Sequence, residues 1–420
     1  MLFLHTLSSF VLLCVLCGRA PSSTLSSSLL LVVVVVVRPE REELEEYYPF
    51  IVATLARAAK MYNSGVHTHF DVVVIDEAGQ AIEPEALAVI GPLLAQDGQI
   101  ILAGDPYQLG PIVHSKLAER SGLCMSFMER LMGRPIYQPA KQDQKQQASA
   151  PVGGGGGGGS GRSSTHLDSN LDGRVITKLV RNYRSHEDLT TVSSRLFYDG
   201  EIVAVGSELT NAHVGWSQLP NREVPLIFHG VKGMEEREAN SPSWFNRDEA
   251  GVVLSYVQKV LAPNSGAPRI RQQDIGIIAP YSKQVWKIHQ MLRSRGLHNV
   301  AVGSTENFQG QERRVIIVTS VRSSTDFLDF DAEHNLGFLD NPKRFNVAIT
   351  RAIGLMIIVG DPSVLQTDPH WNNLLQFALE KQACKGVLPS QNEAHPTAAH
   401  PDDNTLRREL ESLLNGVDTQ

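Results

Sequence analysis

The stretch FDVVVIDEAGQ, residues 70–80, decides the fold. Its β-branched apolar run is continuous rather than alternating and too short for a stable helix. It therefore reads as a strand buried on both faces, as in a parallel sheet covered by helices. The run ends in Asp76 and Glu77, at the carboxyl edge where open α/β sheets bind ligands. An acid there can hold Mg²⁺ through water, and a second can orient or deprotonate an attacking water. The same pair also suits a solvated strand end, and the stretch alone does not choose between the two. GQIILAGDPYQLGP, residues 98–111, repeats the design. After its strand comes Gln108, an uncharged donor and acceptor suited to sensing a terminal phosphate or the attacking water. A Pro/Gly turn is the plainer reading of that segment, but the two stretches together favour a ligand edge.

Working outward, helical spacing around IVATLARAAKMY (51–62) and across residues 84–94 alternates with these strands. From about residue 138 to 170 the texture collapses into Gln, Gly and Ser, the composition of a flexible linker or inserted loop. A second α/β texture follows. PLIFHGV, DIGIIAPY, RVIIVTSV and LMIIVGDP read as strands, and residues 248–261 and 282–295 as helices between them. Beyond residue 384 the chain is polar.

The 420 residues carry a formal charge of -7, so any nucleic-acid surface has to be a local groove, not a global basic field. No aromatic-and-basic stripe stands out along the sequence as a base-stacking platform. Four cysteines make no disulfide framework. Cys14 and Cys17 spell C-x-x-C inside an apolar run, without the strand-turn-helix context that chemistry needs. His67 and His69 lack further ligands nearby and read as a loop entering the Asp71 strand. The first 37 residues hold two apolar runs, the first resembling a weak secretory signal and the second, residues 29–37, too short to span a bilayer. They lack the positive start of a secretory signal and read as a non-native or signal-like leader.

GGGGGGGSGRSS, residues 153–164, resembles a phosphate loop with arginine in place of lysine. A phosphate loop needs a buried strand before it and a helix start after it. Neither is visible here, consecutive glycines give a floppy chain, and Arg162 does not replace a compact ammonium. The segment reads as linker.

The ordered motifs VVVIDEAG, GDPYQLGP, KLVRNYRSH, VGSTENFQGQE and KRFNVAITRA resemble superfamily 1 helicases of the Upf1-like group. Within it they resemble the Armitage and Moloney leukaemia virus ten branch of RNA helicases. SPSWFN, IFHGV and LGFLDNPKRFNVAITRA favour that branch, and the likeness runs from about residue 51 to 379. The resemblance implies an α/β fold of tandem RecA-like parallel-sheet domains, the first incomplete and the second largely complete. It implies ATP and Mg²⁺ as cofactors, with Asp76 as metal ligand and Glu77 as base. Gln108 would couple the γ-phosphate to domain movement. Tyr183 would face the adenine, Arg184 the γ-phosphate and Glu312 the ribose. Gly310 would allow close approach, and Arg351 would be the arginine finger. Ser304 and Thr305 would lie at the nucleic-acid backbone.

On this reading residues 1–49 are a non-family leader outside the fold and 50–137 a partial first domain. Residues 138–170 are the linker, 171–383 the second domain and 384–420 a mobile tail. The phosphate-loop strand, its lysine and its Ser/Thr are missing upstream of Asp71, which should expose sheet surface and cripple ATP turnover. The resemblance further implies 5′-to-3′ movement on single-stranded RNA and roles in RNA silencing or antiviral RNA control. It also implies Argonaute- or Piwi-class partners, a monomer without a membrane, and a cytoplasmic setting that extends to ribonucleoprotein granules. The alternative is a truncated, non-catalytic RNA- or partner-binding module.

Overall fold

The computed structural model describes residues 11–16, 30–32, 50–137, 175–238, 243–262, 269–325, 337–339 and 341–388. The Gly-rich segment at 153–164, the rest of the linker and most of the tail lie outside these residues. The chain divides into two compact units. One comprises residues 10–106 and 110–179; the other comprises 180–420 together with 1–9 and the short segment Tyr107–Leu109.

The first unit contains β1 (Val11–Leu16), β2 (Leu30–Val32), β3 (Phe50–Val52), α1 (Leu55–Asn63), β4 (Phe70–Ile75), α2 (Glu83–Leu93), β5 (Leu94–Gly104), α3 (Lys116–Arg120), α4 (Phe127–Met132) and β6 (Ile176–Lys178). Its six-stranded sheet runs β3-β2-β4-β5-β1-β6. β2, β3, β4 and β5 are mutually parallel. β1 is antiparallel to both β5 and β6. The helices start where local chemistry allows. Thr54 caps α1 by accepting from Arg57 N, and α2 opens on Glu83 and Glu85 with Pro84 in its first turn. Phe70, Val73, Ile75, Val89, Leu93, Ile100 and Leu102 form its core.

Two expectations about boundaries differ from this sheet. The leader is expected to lie outside the fold, yet two of its segments are strands, β2 between β3 and β4 and β1 beside β5. A sheet edge left without a partner presents unpaired N–H and C=O groups, and the apolar leader supplies the pairing. β5 is thus paired by β1 on the side away from β4. β6, placed by the sequence in the second domain, pairs with β1 in the first sheet.

The second unit contains β7 (Arg181–Asn182), α5 (Glu187–Phe197), β8 (Val203–Ala204), β9 (Leu226–Gly230), β10 (Glu235–Arg237), β11 (Trp244–Asn246), α6 (Arg247–Leu261), β12 (Ile275–Ile278), α7 (Ser282–Arg293), β13 (Ala301–Gly303) and α8 (Thr305–Phe308). It continues through β14 (Arg313–Thr319), α9 (Pro342–Ile349), β15 (Ala352–Gly360), α10 (Pro362–Leu365), α11 (Pro369–Glu380) and β16 (Cys384–Gly386). Its main sheet runs β13-β12-β14-β15-β9-β16 and is parallel at every pairing. β10 and β11 pair antiparallel, and β7 and β8 parallel, in two small sheets.

The apolar run of β14 explains why this sheet is buried on both faces. Val315 and Ile317 join one core with Ile277, Tyr256 and Ile357. Ile316 and Val318 join the other with Phe228, Phe345 and Trp371. Alternate side chains point to opposite faces, so a strand covered by helices on both sides needs no polar position. β16 begins at Cys384, where the sequence reading places the start of the tail. No helix among the described residues is long and apolar enough to cross a membrane.

Candidate nucleotide and nucleic-acid sites

In the first unit, β4 delivers Asp76 and Glu77, both half-buried, to its carboxyl end. The turn is tight. Glu77 adopts a left-handed backbone with φ 52°, and its N–H donates to Asp76 Oδ1 at 3.0 Å. Gln80 Nε2 donates to Glu77 Oε2 at 3.2 Å. A Cβ on Gly79 would lie 2.8 Å from Asp105 O, and one on Gly104 would lie 2.8 Å from Gly79 N. The glycines of IDEAG and AGDP are therefore what let the two strand exits approach, and they bring buried Asp105 beside the acidic turn.

In the second unit three motifs converge where β14 and β15 begin. Asn182 Oδ1 accepts from Arg184 N (2.9 Å) and Ser185 N (3.0 Å), which folds NYRSH into a turn. Ser185 Oγ donates to Ala352 O at 2.6 Å, and His186 N donates to Ile353 O at 3.1 Å, tying that turn to the start of β15. Arg313 N donates to Arg351 O at 3.1 Å, joining the QGQE motif to AITRA. Within this knot Arg184 Nε donates to Glu312 Oε2 in an ion pair. Arg184 is 8% exposed, and its Nη1 is buried without a hydrogen-bond partner. The neighbouring Tyr183 is 60% exposed. Gly310 has φ +69°, a conformation any Cβ would strain.

Arg351 is buried; its Nε donates to Val347 O at 3.1 Å, and one Nη donates to Gln108 Oε1 at 3.2 Å. Gln108 belongs to the segment that clusters with this unit. A residue that the sequence reading passes over holds that segment. Asn346, fully buried, donates to Tyr107 O (3.0 Å) and Tyr198 Oη (2.8 Å) and accepts from Ser193 Oγ (2.7 Å). It lies four residues before Thr350 on the helix carrying RFNVAITRA, and an amide inside an apolar run was the available signal.

Ser304 and Thr305 sit elsewhere, at the carboxyl end of β13. Ser304 is half-buried, and its N–H and Oγ both donate to Asn307 Oδ1, at 3.0 and 3.1 Å. Thr305 is 1% exposed. A hydroxyl so deeply covered is poorly placed to meet a phosphate, whereas Ser304 at the helix start is accessible. The same edge holds a buried acid unnoticed in the sequence. Glu249 accepts from Thr319 Oγ1 (2.5 Å) and Val321 N (2.9 Å), and burial pushes its carboxyl up to about 8.

The described residues hold no group of three or more His, Cys, Asp or Glu arranged for a metal ion. A single carboxylate such as Asp76, completing its shell with waters and phosphate oxygens, does not require one.

Each α/β unit, taken by itself, thus carries a candidate ligand edge: acidic strand exits in the first and the Arg184–Glu312 pair in the second. Two AAA domain families match the chain, one over residues 38–116 and one over residues 165–363. More narrowly, the MOV-10, Mov10l1 and Armitage helicases are homologues of this chain over most of its length. It is 42% identical over 362 residues to the helicase mov-10-B.2 of Danio rerio, covering 83% of this chain and 33% of the relative. It is 44% identical over 334 residues to the RNA helicase Mov10l1 of Homo sapiens, covering 79% and 26%. It is 35% identical over 328 residues to the RNA helicase armi of Drosophila melanogaster, covering 76% and 25%. The chain spans about a third of the length of these relatives or less. Among solved structures, the Arterivirus nonstructural protein 10 helicase aligns over 79% of this chain and 47% of its own at 14% identity. Its TM-score is 0.33.

Proposed function

We propose that this chain carries the motor segment of an ATP-dependent helicase acting on single-stranded RNA with 5′-to-3′ polarity, and that its 420 residues by themselves turn ATP over poorly. The observation that carries the first part is the Arg184 knot. A buried guanidinium is costly unless its donors are met, and Arg184 meets Glu312 with Nε while leaving Nη1 unmatched. A terminal phosphate oxygen is a fitting acceptor for that nitrogen. Exposed Tyr183 supplies a face for the base, and Glu312, 31% exposed at its side chain, has oxygens left for ribose hydroxyls. Arg351, just past the end of α9 and hydrogen-bonded to Gln108, is on this reading the finger arginine.

MgATP, when bound, supplies a polarised γ-phosphoryl group and a cation that spreads its charge. Asp76 would hold the cation through water and Glu77 would orient the attacking water. These residues fit one side of the nucleotide. The other side, the cradle for the β- and γ-phosphates, has no counterpart in the described residues. β1 lies beside β5 and runs antiparallel to it, with Leu16 opposite Gln99. Its chain therefore leaves at the edge away from Asp76, whereas a phosphate loop must emerge at the carboxyl edge. β2 runs parallel to β4 and does end at that edge, but the sequence after it, VVVVVRPE, has neither the glycines nor the lysine of a phosphate loop. Since phosphoryl transfer rests on positioning and charge stabilisation, loss of that cradle is the reason for the poor turnover.

A second reading follows from the same strand: a binding module that keeps the second unit and competes for RNA or a partner. Action in RNA silencing or antiviral RNA control, and association with Argonaute- or Piwi-class proteins, belong to this reading as what the motif resemblance implies.

The test pairs a fluorescent ATP analogue titration with phosphate release in the presence of oligouridylate. Weak analogue binding that Arg184→Ala weakens further, with no RNA-stimulated release, is expected. RNA-stimulated release that Glu77→Gln abolishes overturns the impaired turnover and leaves the helicase reading standing. Analogue binding indifferent to Arg184→Ala overturns the assignment of the knot.

A further inference from the structure

Tertiary structure assembles an aromatic and basic surface that is scattered along the sequence. Trp286, on α7, is 47% exposed. Lys283, one turn earlier, places its ammonium 5.5 Å from the indole centroid, and Lys287 places its own at 5.3 Å. Both ammonium groups lie over the ring, so a base that stacks on the exposed indole has to displace at least one of them. Lys287 also lies 4.6 Å from the ring of Phe245 on β11. Beside it is a cleft of about 350 Å³ lined by Phe245, Arg247, Ala250, Lys287, Gln290 and Met291. A π face, flanking ammonium groups and a neighbouring cleft with an aromatic wall are the elements from which single-strand contacts are built.

One acid occupies the centre of this surface. Glu238 binds both lysines, Lys283 Nζ at 2.6 Å and Lys287 Nζ at 3.0 Å. Hydrogen bonds from Lys283 and then Lys287 hold its carboxyl below the usual range. A single carboxylate between two ammonium groups stands where a backbone phosphate would stand, and the three together keep a charge of +1.

Placement within the unit supports a nucleic-acid role. β12 and β13 are adjacent and parallel, with Ala279 N donating to Gly303 O at 3.0 Å. α7 starts just past β12 and Ser304 just past β13, so both leave the sheet at its carboxyl edge. The Arg184 and Arg351 knot lies at the opposite edge, where β14 and β15 begin.

From these observations we infer that Trp286, Lys283 and Lys287 form a contact for single-stranded RNA, with one base stacked on the indole and a phosphate on the two ammonium groups. Glu238 is its internal competitor, released from the lysines when RNA binds. The inference rests on the RNA-binding part of the proposed function and extends it to residues outside the five motifs.

The test measures binding of a fluorescein-labelled oligouridylate of about 15 nucleotides to the full chain by anisotropy, at one fixed salt concentration and then across a salt series. Trp286→Ala should weaken binding about 5- to 100-fold, the range of a lost base stack. Glu238→Gln should tighten it about two- to five-fold, the scale of an exposed ion pair removed from competition. The double variant Lys283→Gln with Lys287→Gln should lower the slope of log affinity against log salt by roughly 0.7 for each phosphate no longer neutralised. Ser304→Ala serves as the comparison at the motif. If Ser304→Ala weakens binding while Trp286→Ala and Glu238→Gln match the parent chain, the inference is overturned and the RNA reading stands. Glu238→Gln weakening instead of tightening overturns the competitor role. If the parent chain itself shows no binding, the RNA reading fails and the inference falls with it.

Discussion

The two main sheets have the same number of strands and differ in how they are completed. The second is parallel throughout, and its longest strands, β14 and β15, send alternate side chains into two separate cores. The first is mixed, with one core cluster. Two of its strands come from an apolar leader, and one of them runs against the direction of its neighbour. The second sheet closes with strands of its own motif-bearing unit. The first closes by pairing β4 and β5 with whatever apolar chain is at hand. A parallel sheet covered on both faces specifies its strands through packing. A sheet edge specifies only that something must pair with it.

That contrast predicts where damage stays. The largest effect should come from Trp371→Ala. This side chain is fully buried, packs edge-on against Phe345 at 4.9 Å and lies 5.5 Å from Phe338. Its loss should cost about 3–5 kcal/mol in urea unfolding of the second unit, while amide protection across β4 and β5 is unchanged. Equal loss of protection in both sheets would end the idea that the units are separately stabilised.

Next comes the buried acid. Glu249 holds its proton up to about 8, against an ordinary 4.5. Between those values the native state binds the proton and the unfolded chain does not, so the stabilisation is complete below about 4.5 and is lost as pH rises through about 8. The urea midpoint of the second unit should therefore fall over that window, and Glu249→Gln should flatten the fall. A first-unit midpoint with the same slope, removed by the same variant, would show the units to be coupled.

Smaller is the effect of Leu13→Pro. Leu13 pairs with Leu102 on one side and Ile176 on the other, and proline inside a sheet removes a ladder donor. A cost of about 1–3 kcal/mol should appear as faster amide exchange in β5 and β6. Unchanged exchange there would remove the leader from the sheet and sharpen the contrast between the two units. Smallest is Glu83→Gln, which breaks the half-exposed pair with Arg130. It should cost under about 1 kcal/mol, read as a first-unit midpoint barely moved.

Much of the candidate site was legible because its features are local. Asp76 and Glu77 follow a strand of apolar residues, and the glycines at 79 and 104 follow from the close approach of two strand exits. NYRSH, QGQE and AITRA each mark the start or flank of an element. Asn346 and Glu249 were not legible. Asn346 sits within an apolar helical pattern and Glu249 in the charged first turn of its helix, and only the fold shows that their partners, Tyr198 and Ser193 for one, Thr319 and Val321 for the other, lie far along the chain. Thr305 shows the opposite case. Beside Ser304 it reads as a phosphate donor, and only the fold shows that it is 1% exposed.

The sequence by itself determined the parallel, doubly covered second sheet, the acidic strand exits and the order of the motifs. Periodicity, β-branching and glycine conformation act over a few residues and are written in those residues. Tertiary structure alone decided which chain completes the first sheet, since backbone pairing carries almost no side-chain signature. It alone joined Arg184 to Glu312, and it alone gathered Trp286, Lys283, Lys287 and Glu238 into one surface. Those groupings depend on folding in three dimensions, and no spacing along the chain encodes them.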